Sequence, residues 1–288
     1  MTMQIILVGL SLVLATTVAR SLPLNITEVT SNSVFLGTRA ADDEFPYMAF
    51  IGNGDYDPRT NGYCSAVLIT PSHLLTHGKC EQADLGHSLT TYRWAYFGGA
   101  IKKRISKRIV GQTRLSLSGR DYIGPVYDLV VMELDGEVDL SDSIQPIKII
   151  PTNDQDLVQW SHMRTVSFGP MTLTDAGGIL NSELSFPFDN KQCSEKFPVF
   201  SPDYSLCVAG QDLDPQLSEG DNGGALVALR SGCGKGCLVG LVGYEPLMEH
   251  SDGHIWPIVP YVYVRVSKFC GKIAGATGGK FRCTNVVD

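Results

Sequence analysis

From residue 34 onward the chain consists of short apolar runs, each ended by Gly, Pro, Asn or Asp, with no long helical periodicity between them. Residues 47–51, 66–69, 129–134, 147–150, 225–229, 238–244 and 261–266 are each of strand length and rich in β-branched or aromatic side chains. Such runs suit buried strands, and the turn signals between them predict an all-β barrel or sandwich. A length of 288 residues fits one large β domain or two smaller ones. The hydrophobic fraction of 43% is enough to bury a core.

The N-terminus reads differently. Residues 5–18 are apolar with only Gly, Ser and Thr as interruptions. The run is too short to span a bilayer, where about 20 residues are needed. Thr17 and Ala19 are small and placed for cleavage after Ala19, so residues 1–19 are predicted to be a secretory signal, although Lys and Arg are absent before the apolar run. Residues 20–33 are polar and rich in Ser, Thr and Asn, as in a leader, and residues 34–288 form the predicted domain with its C-terminal tail. Asn25-Ile26-Thr27 is a glycosylation sequon. No later segment is long and apolar enough to serve as a membrane anchor, and the protein is expected to be extracellular. A net charge of −7 does not suggest a nucleic-acid binder, which is more often basic.

Eight cysteines, Cys64, Cys80, Cys193, Cys207, Cys233, Cys237, Cys270 and Cys283, follow this signal. An even count in a secreted chain predicts disulfides. Zinc is the competing reading at Cys233 and Cys237, but there is no second close pair and no His cluster, so no metal is predicted. No cofactor is predicted either.

Four segments, in this order, carry a resemblance. Val34-Phe35-Leu36-Gly37 precedes Phe45-Pro46-Tyr47. Ser65-Ala66-Val67-Leu68-Ile69-Thr70-Pro71 leads into Leu74-Leu75-Thr76-His77-Gly78-Lys79-Cys80. Tyr127-Asp128-Leu129-Val130-Val131-Met132-Glu133-Leu134 follows, and then Glu219-Gly220-Asp221-Asn222-Gly223-Gly224-Ala225-Leu226-Val227. Together they resemble the chymotrypsin/trypsin-like serine protease family (peptidase S1) over about residues 34–270. The resemblance implies two six-stranded antiparallel β-barrels with the site in the cleft between them, and a short C-terminal helix. It also implies the pairings Cys64–Cys80 and Cys193–Cys207. The remaining four cysteines are left open, with Cys233–Cys237 and Cys270–Cys283 favoured. Where the family often has a further Cys near its specificity pocket, this chain has Ser218.

The resemblance places the family's triad on Lys79, Asp128 and Asn222. Serine hydrolysis needs a hydroxyl nucleophile, an imidazole base and an orienting carboxylate. The carboxamide of Asn222 has no ionisable proton and cannot form an acyl-enzyme. Lys79 has no serine to deprotonate, and an expected Lys79–Asp128 ion pair would hold it charged. His77, two positions earlier, and Ser218, four positions before Asn222, are weaker substitutes for the base and the nucleophile. Gly220, Asp221 and Asn222 remain as the remnant of the oxyanion loop. In the family, cleavage after a basic residue frees a terminus that pairs with the Asp preceding the serine. Here that Asp is Asp221, the terminus would be Val34, and the residue before it is Ser33, which a trypsin-like activator would not recognise. The primary pocket maps to Gln216, and the substrate-pairing strand to Gly243, Tyr244 and Glu245, where a Glu replaces the family's open Gly.

The implied function is that of a non-catalytic serine protease homologue that binds an extracellular protein such as a hydrolase or protease, as inhibitor, decoy or cofactor. An active serine endopeptidase and a glycan-binding module are the alternatives. The second rests on the basic run that begins Lys102-Lys103-Arg104 and ends Lys107-Arg108, which could meet an acidic glycan. Pro71-Ser72-His73-Leu74-Leu75-Thr76 before a Cys without its His also resembles the glucanase-inhibitor proteins of plant-pathogenic oomycetes.

Overall fold

The computed structural model describes residues 38–41, 43–52, 64–81, 94–98, 105–116, 127–155, 162–169, 180–198, 200–210, 217, 220–244 and 260–286. The predicted signal and leader, Asn25, the segment 34–37, Lys102, Lys103, Arg104, Gln216, Ser218 and Glu245 lie outside them.

Thirteen strands are described: β1 (Thr38–Arg39), β2 (Met48–Gly52), β3 (Cys64–Thr70), β4 (His73–His77), β5 (Trp94–Phe97), β6 (Ile105–Leu115), β7 (Leu129–Leu134), β8 (His162–Ser167), β9 (Asn181–Pro187), β10 (Ser205–Gly210), β11 (Ala225–Leu229), β12 (Cys237–Tyr244) and β13 (Pro260–Arg265). The first barrel closes in the order β2-β3-β4-β7-β6-β5. The second runs β9-β10-β13-β12-β11-β8 and closes through β8–β9, giving the expected pair of six-stranded antiparallel barrels. Closure leaves no unpaired barrel edge. β1 attaches at Asn181 and Ser182, the end of β9 that β10 does not reach.

The continuous apolar runs follow from burial on both strand faces. In β7, Val130, Met132 and Leu134 fill the first barrel, while Leu129 and Val131 join the largest core cluster, which spans both barrels. In β11, Leu226 and Ala228 point into the second barrel and Ala225 and Val227 into that shared layer. Side chains alternate across a strand, so a strand between two cores reads as unbroken Leu-Val-Ala sequence.

One expectation needs correction. Residues 147–150 are not a strand. They form the extended connection between the barrels, held by single bonds from Ile147 N to Leu68 O (2.8 Å) and from Leu238 N to Ile149 O (3.0 Å). Helix α1 (Asn190–Lys196) is capped by Asp189, which accepts from Gln192 N at 2.8 Å. The C-terminal helix α2 (Cys270–Ala276) buries Ile273, and beyond it Thr284 bridges to Pro151. The bridges Cys64–Cys80, Cys193–Cys207, Cys233–Cys237 and Cys270–Cys283 are formed, including the two pairings left open by sequence. No helix among the described residues is long and apolar enough to cross a membrane.

Candidate functional site

The site is built where β4 and the approach to β7 meet the turn before β11. β4 ends at His77 and passes into a short 3-10 turn, Gly78–Cys80, that carries Lys79. Gly78 N donates to Asp128 O at 2.7 Å, and a Cβ at Gly78 would lie 2.8 Å from that of Asp128, so only Gly lets the two segments approach this closely. From the second barrel, Gly220–Gly223 form the turn that presents Asn222. Ser65 of β3 fixes this turn to the first barrel: its N donates to Asn222 O at 2.8 Å, and its Oγ donates to Gly220 O and accepts from Phe168 N, both at 2.9 Å. Gly223 has φ of +77° and stands so close that a Cβ would fall 2.1 Å from Ser65 O and Thr76 Oγ1. Cys80 Sγ lies 3.5 Å from Asn222 O. Lys79 and Asn222 are therefore drawn together across the barrel boundary by their neighbours.

The charges are arranged differently from the sequence expectation. Asp128 is buried, with only 2% of its surface exposed, and its ion pair is with Arg114 of β6, whose Nη1 donates to Oδ2 at 2.8 Å. The same guanidinium pairs with Glu81. Asp128 Oδ1 has no hydrogen-bond partner among the described residues. Lys79 is exposed and forms no ion pair among the described residues. The expected Lys79–Asp128 pair is thus replaced by an Arg114 clamp. The physical reason is the planar fork of Arg, which can serve two carboxylates at once and is less costly to desolvate than an ammonium.

His77 is fully buried. Its Nδ1 accepts from Lys79 N at 3.2 Å, which places any single ring proton on Nε2. The ring edge lies against Gly243, where a Cβ would sit 2.5 Å from Cδ2 and 2.6 Å from Nε2. The imidazole is wedged in the space that a side chain at 243 would need. Tyr244 is the last residue of β12.

Asp221 is buried and has internal partners. Ser167 Oγ donates to its Oδ1, as does Gly169 N at 3.1 Å. A Cβ on Gly169 would fall 2.0 Å from that oxygen. Asn222 is 8% exposed. The sequence reading missed Arg114, Glu81, Ser65, Ser167 and Gly169. Ser65 opens one of the motif segments, but nothing there signals its bonds to the second barrel; no motif marks the other four, because each acts from a different strand or turn. Among the described residues no cluster of three or more His, Cys, Asp or Glu could hold a metal.

Two β-barrels sharing an apolar layer, with this turn at their junction, define a class, and the family model for trypsin matches residues 34–273. The chain belongs to the trypsin family. It is 26% identical over 215 residues to serine protease 7 of Drosophila melanogaster, a match that covers 68% of this chain but 54% of that protein. It is 25% identical over 273 residues to glucanase inhibitor protein 3 of Phytophthora infestans, covering 88% of this chain and 99% of that one. Among solved structures, the scabies mite inactivated protease paralogue S-D1 superposes with a TM-score of 0.64 at 18% identity, over 87% of this chain and all of the other. The structure of GrC does so with a TM-score of 0.65 at 17% identity, over 85% and 100%.

Proposed function

We propose that the chain is a secreted, non-catalytic member of the trypsin family that acts by binding an extracellular enzyme, as inhibitor, decoy or cofactor. The observation that carries this reading is the charge arrangement: an exposed Lys79 and a buried Asn222 stand beside an Asp128 already committed to Arg114. Such a constellation lacks a nucleophile with a removable proton and a base poised to take one. Loss of either group in the serine-protease template costs about a million-fold in turnover. The four disulfides fit an oxidising compartment. Full-length similarity to a protein named as a glucanase inhibitor makes a glycoside hydrolase the first partner to try.

The test is incubation of purified protein with a fluorophosphonate probe and with ester and peptide substrates. No labelling and no hydrolysis are expected. Turnover that disappears on substitution of Asn222, Lys79 or Asp128 would establish the active endopeptidase instead. The glycan alternative draws on Arg108, which is exposed on β6 at the end of the basic run. It requires heparin retention that collapses when Lys102, Lys103 and Arg104 are neutralised.

A further inference from the structure

We infer that Lys79 is the contact residue through which this site recognises its partner, and that it takes a carboxylate in the partner's own active-site cleft. The inference deepens the binding reading above and rests on it. If Lys79 merely filled the position of a missing imidazole, its ammonium would be expected on the carboxylate of Asp128, whose backbone carbonyl accepts from the neighbouring Gly78 N. Arg114 holds that carboxylate instead, and Glu81 with it. The clamp pairs both local anions with one cation and leaves Lys79 exposed without an ion pair among the described residues. On a chain of net charge −7, an ammonium left available at the junction of the two barrels is a specific charge feature.

The backbone around Lys79 is rigid, which is what a contact residue needs. Lys79 N donates to the buried His77 ring, Cys80 is tied by a disulfide to Cys64, and the next residue, Glu81, is held by Arg114. Only the four-carbon stem is left to adjust. The chemistry that such a cation fits is a cleft lined by ionised carboxylates. Glycoside hydrolases have this feature, because most of them cleave with a pair of Asp or Glu side chains flanking the scissile bond. An ammonium delivered to that pair would compensate its charge and occlude the substrate.

The experiment measures the affinity of the full mature protein for a panel of purified endoglucanases, together with inhibition of their activity, for wild type, Lys79→Met and Lys79→Arg. Because Lys79 is exposed, both variants should melt with the wild type. Lys79→Met is expected to weaken binding about tenfold or more, with Lys79→Arg retaining most of it. Replacing the endoglucanase's catalytic Glu residues with Gln should produce a similar loss, and combining it with Lys79→Met should add little, as in a coupled pair. Wild-type affinity should also fall as salt is raised. Tight binding by wild type that Lys79→Met leaves unchanged would overturn the role of Lys79 while the binding function stood. Failure of wild type to bind any of the endoglucanases would overturn the assigned partner chemistry, and with it this inference. Hydrolysis by the protein itself would overturn the non-catalytic reading beneath both.

Discussion

At Gly243 a single added carbon would meet the His77 ring at 2.5 Å, and the ring is fully buried and has little room to withdraw. Gly243→Ala is therefore expected to destabilise the fold by about 1–3 kcal/mol, the usual range for overpacking. Adding His77→Ala should recover part of that loss, because the two substitutions exchange volume across one contact. Urea titration of the two single variants and the double variant checks this, and simple additivity would sink it. A second histidine bears on pH. His73 is buried on β4, with Thr70 Oγ1 2.8 Å and Ser72 Oγ 3.1 Å from its Nδ1. Burial, then the positive charge of Lys280, pushes its pKa below the ordinary value of 6.5, against a smaller upward pull from Glu133. The unfolded chain therefore binds the proton more readily, so stability is intact above about pH 6.5 and declines as pH falls from there towards the lowered folded-state value. In a His73→Gln variant this part of the acid-side loss should be missing when stability is measured between pH 7 and 5.

Among the elements, β6 shows how much of this architecture the sequence conceals. Only Ile109 and Leu115 of its eleven residues are buried, so it offers no apolar run, yet it closes the first barrel and supplies Arg114. The motif-bearing strands β3, β7, β11 and β12 are readable because they are buried on both faces. The connection 147–150 imitates a strand because Ile147 and Ile150 are buried between other elements while its backbone makes no ladder. Within the site, Lys79 and Asn222 follow from motif order, whereas Arg114 lies fourteen residues from Asp128 and is brought to it only by barrel closure. Arg114→Leu would leave the Asp128 carboxylate buried and uncompensated. Breaking a fully buried pair costs about 3–5 kcal/mol, and with the guanidinium side chain 37% exposed a loss of about 2 kcal/mol or more is expected. Denaturant melts of Arg114→Leu with and without Asp128→Asn would test it: the second change should return much of the loss.

In the whole molecule, the two barrels are joined by an apolar layer and by a few directed bonds, of which those of Ser65 are the most concentrated. Ser65→Ala removes the acceptor of Phe168 N and the donor to Gly220 O, all in a buried setting, and is expected to destabilise the protein by about 1–3 kcal/mol. Hydrogen exchange should then quicken at Phe168 rather than inside either barrel; unchanged exchange there would show that the apolar layer alone holds the turn. The same economy of contacts applies to Asp221. Its carboxylate already has Ser167 and Gly169 as partners from within the fold. A turn pinned in this way by its own neighbours would meet a partner already set, so little of the binding energy would go into ordering it.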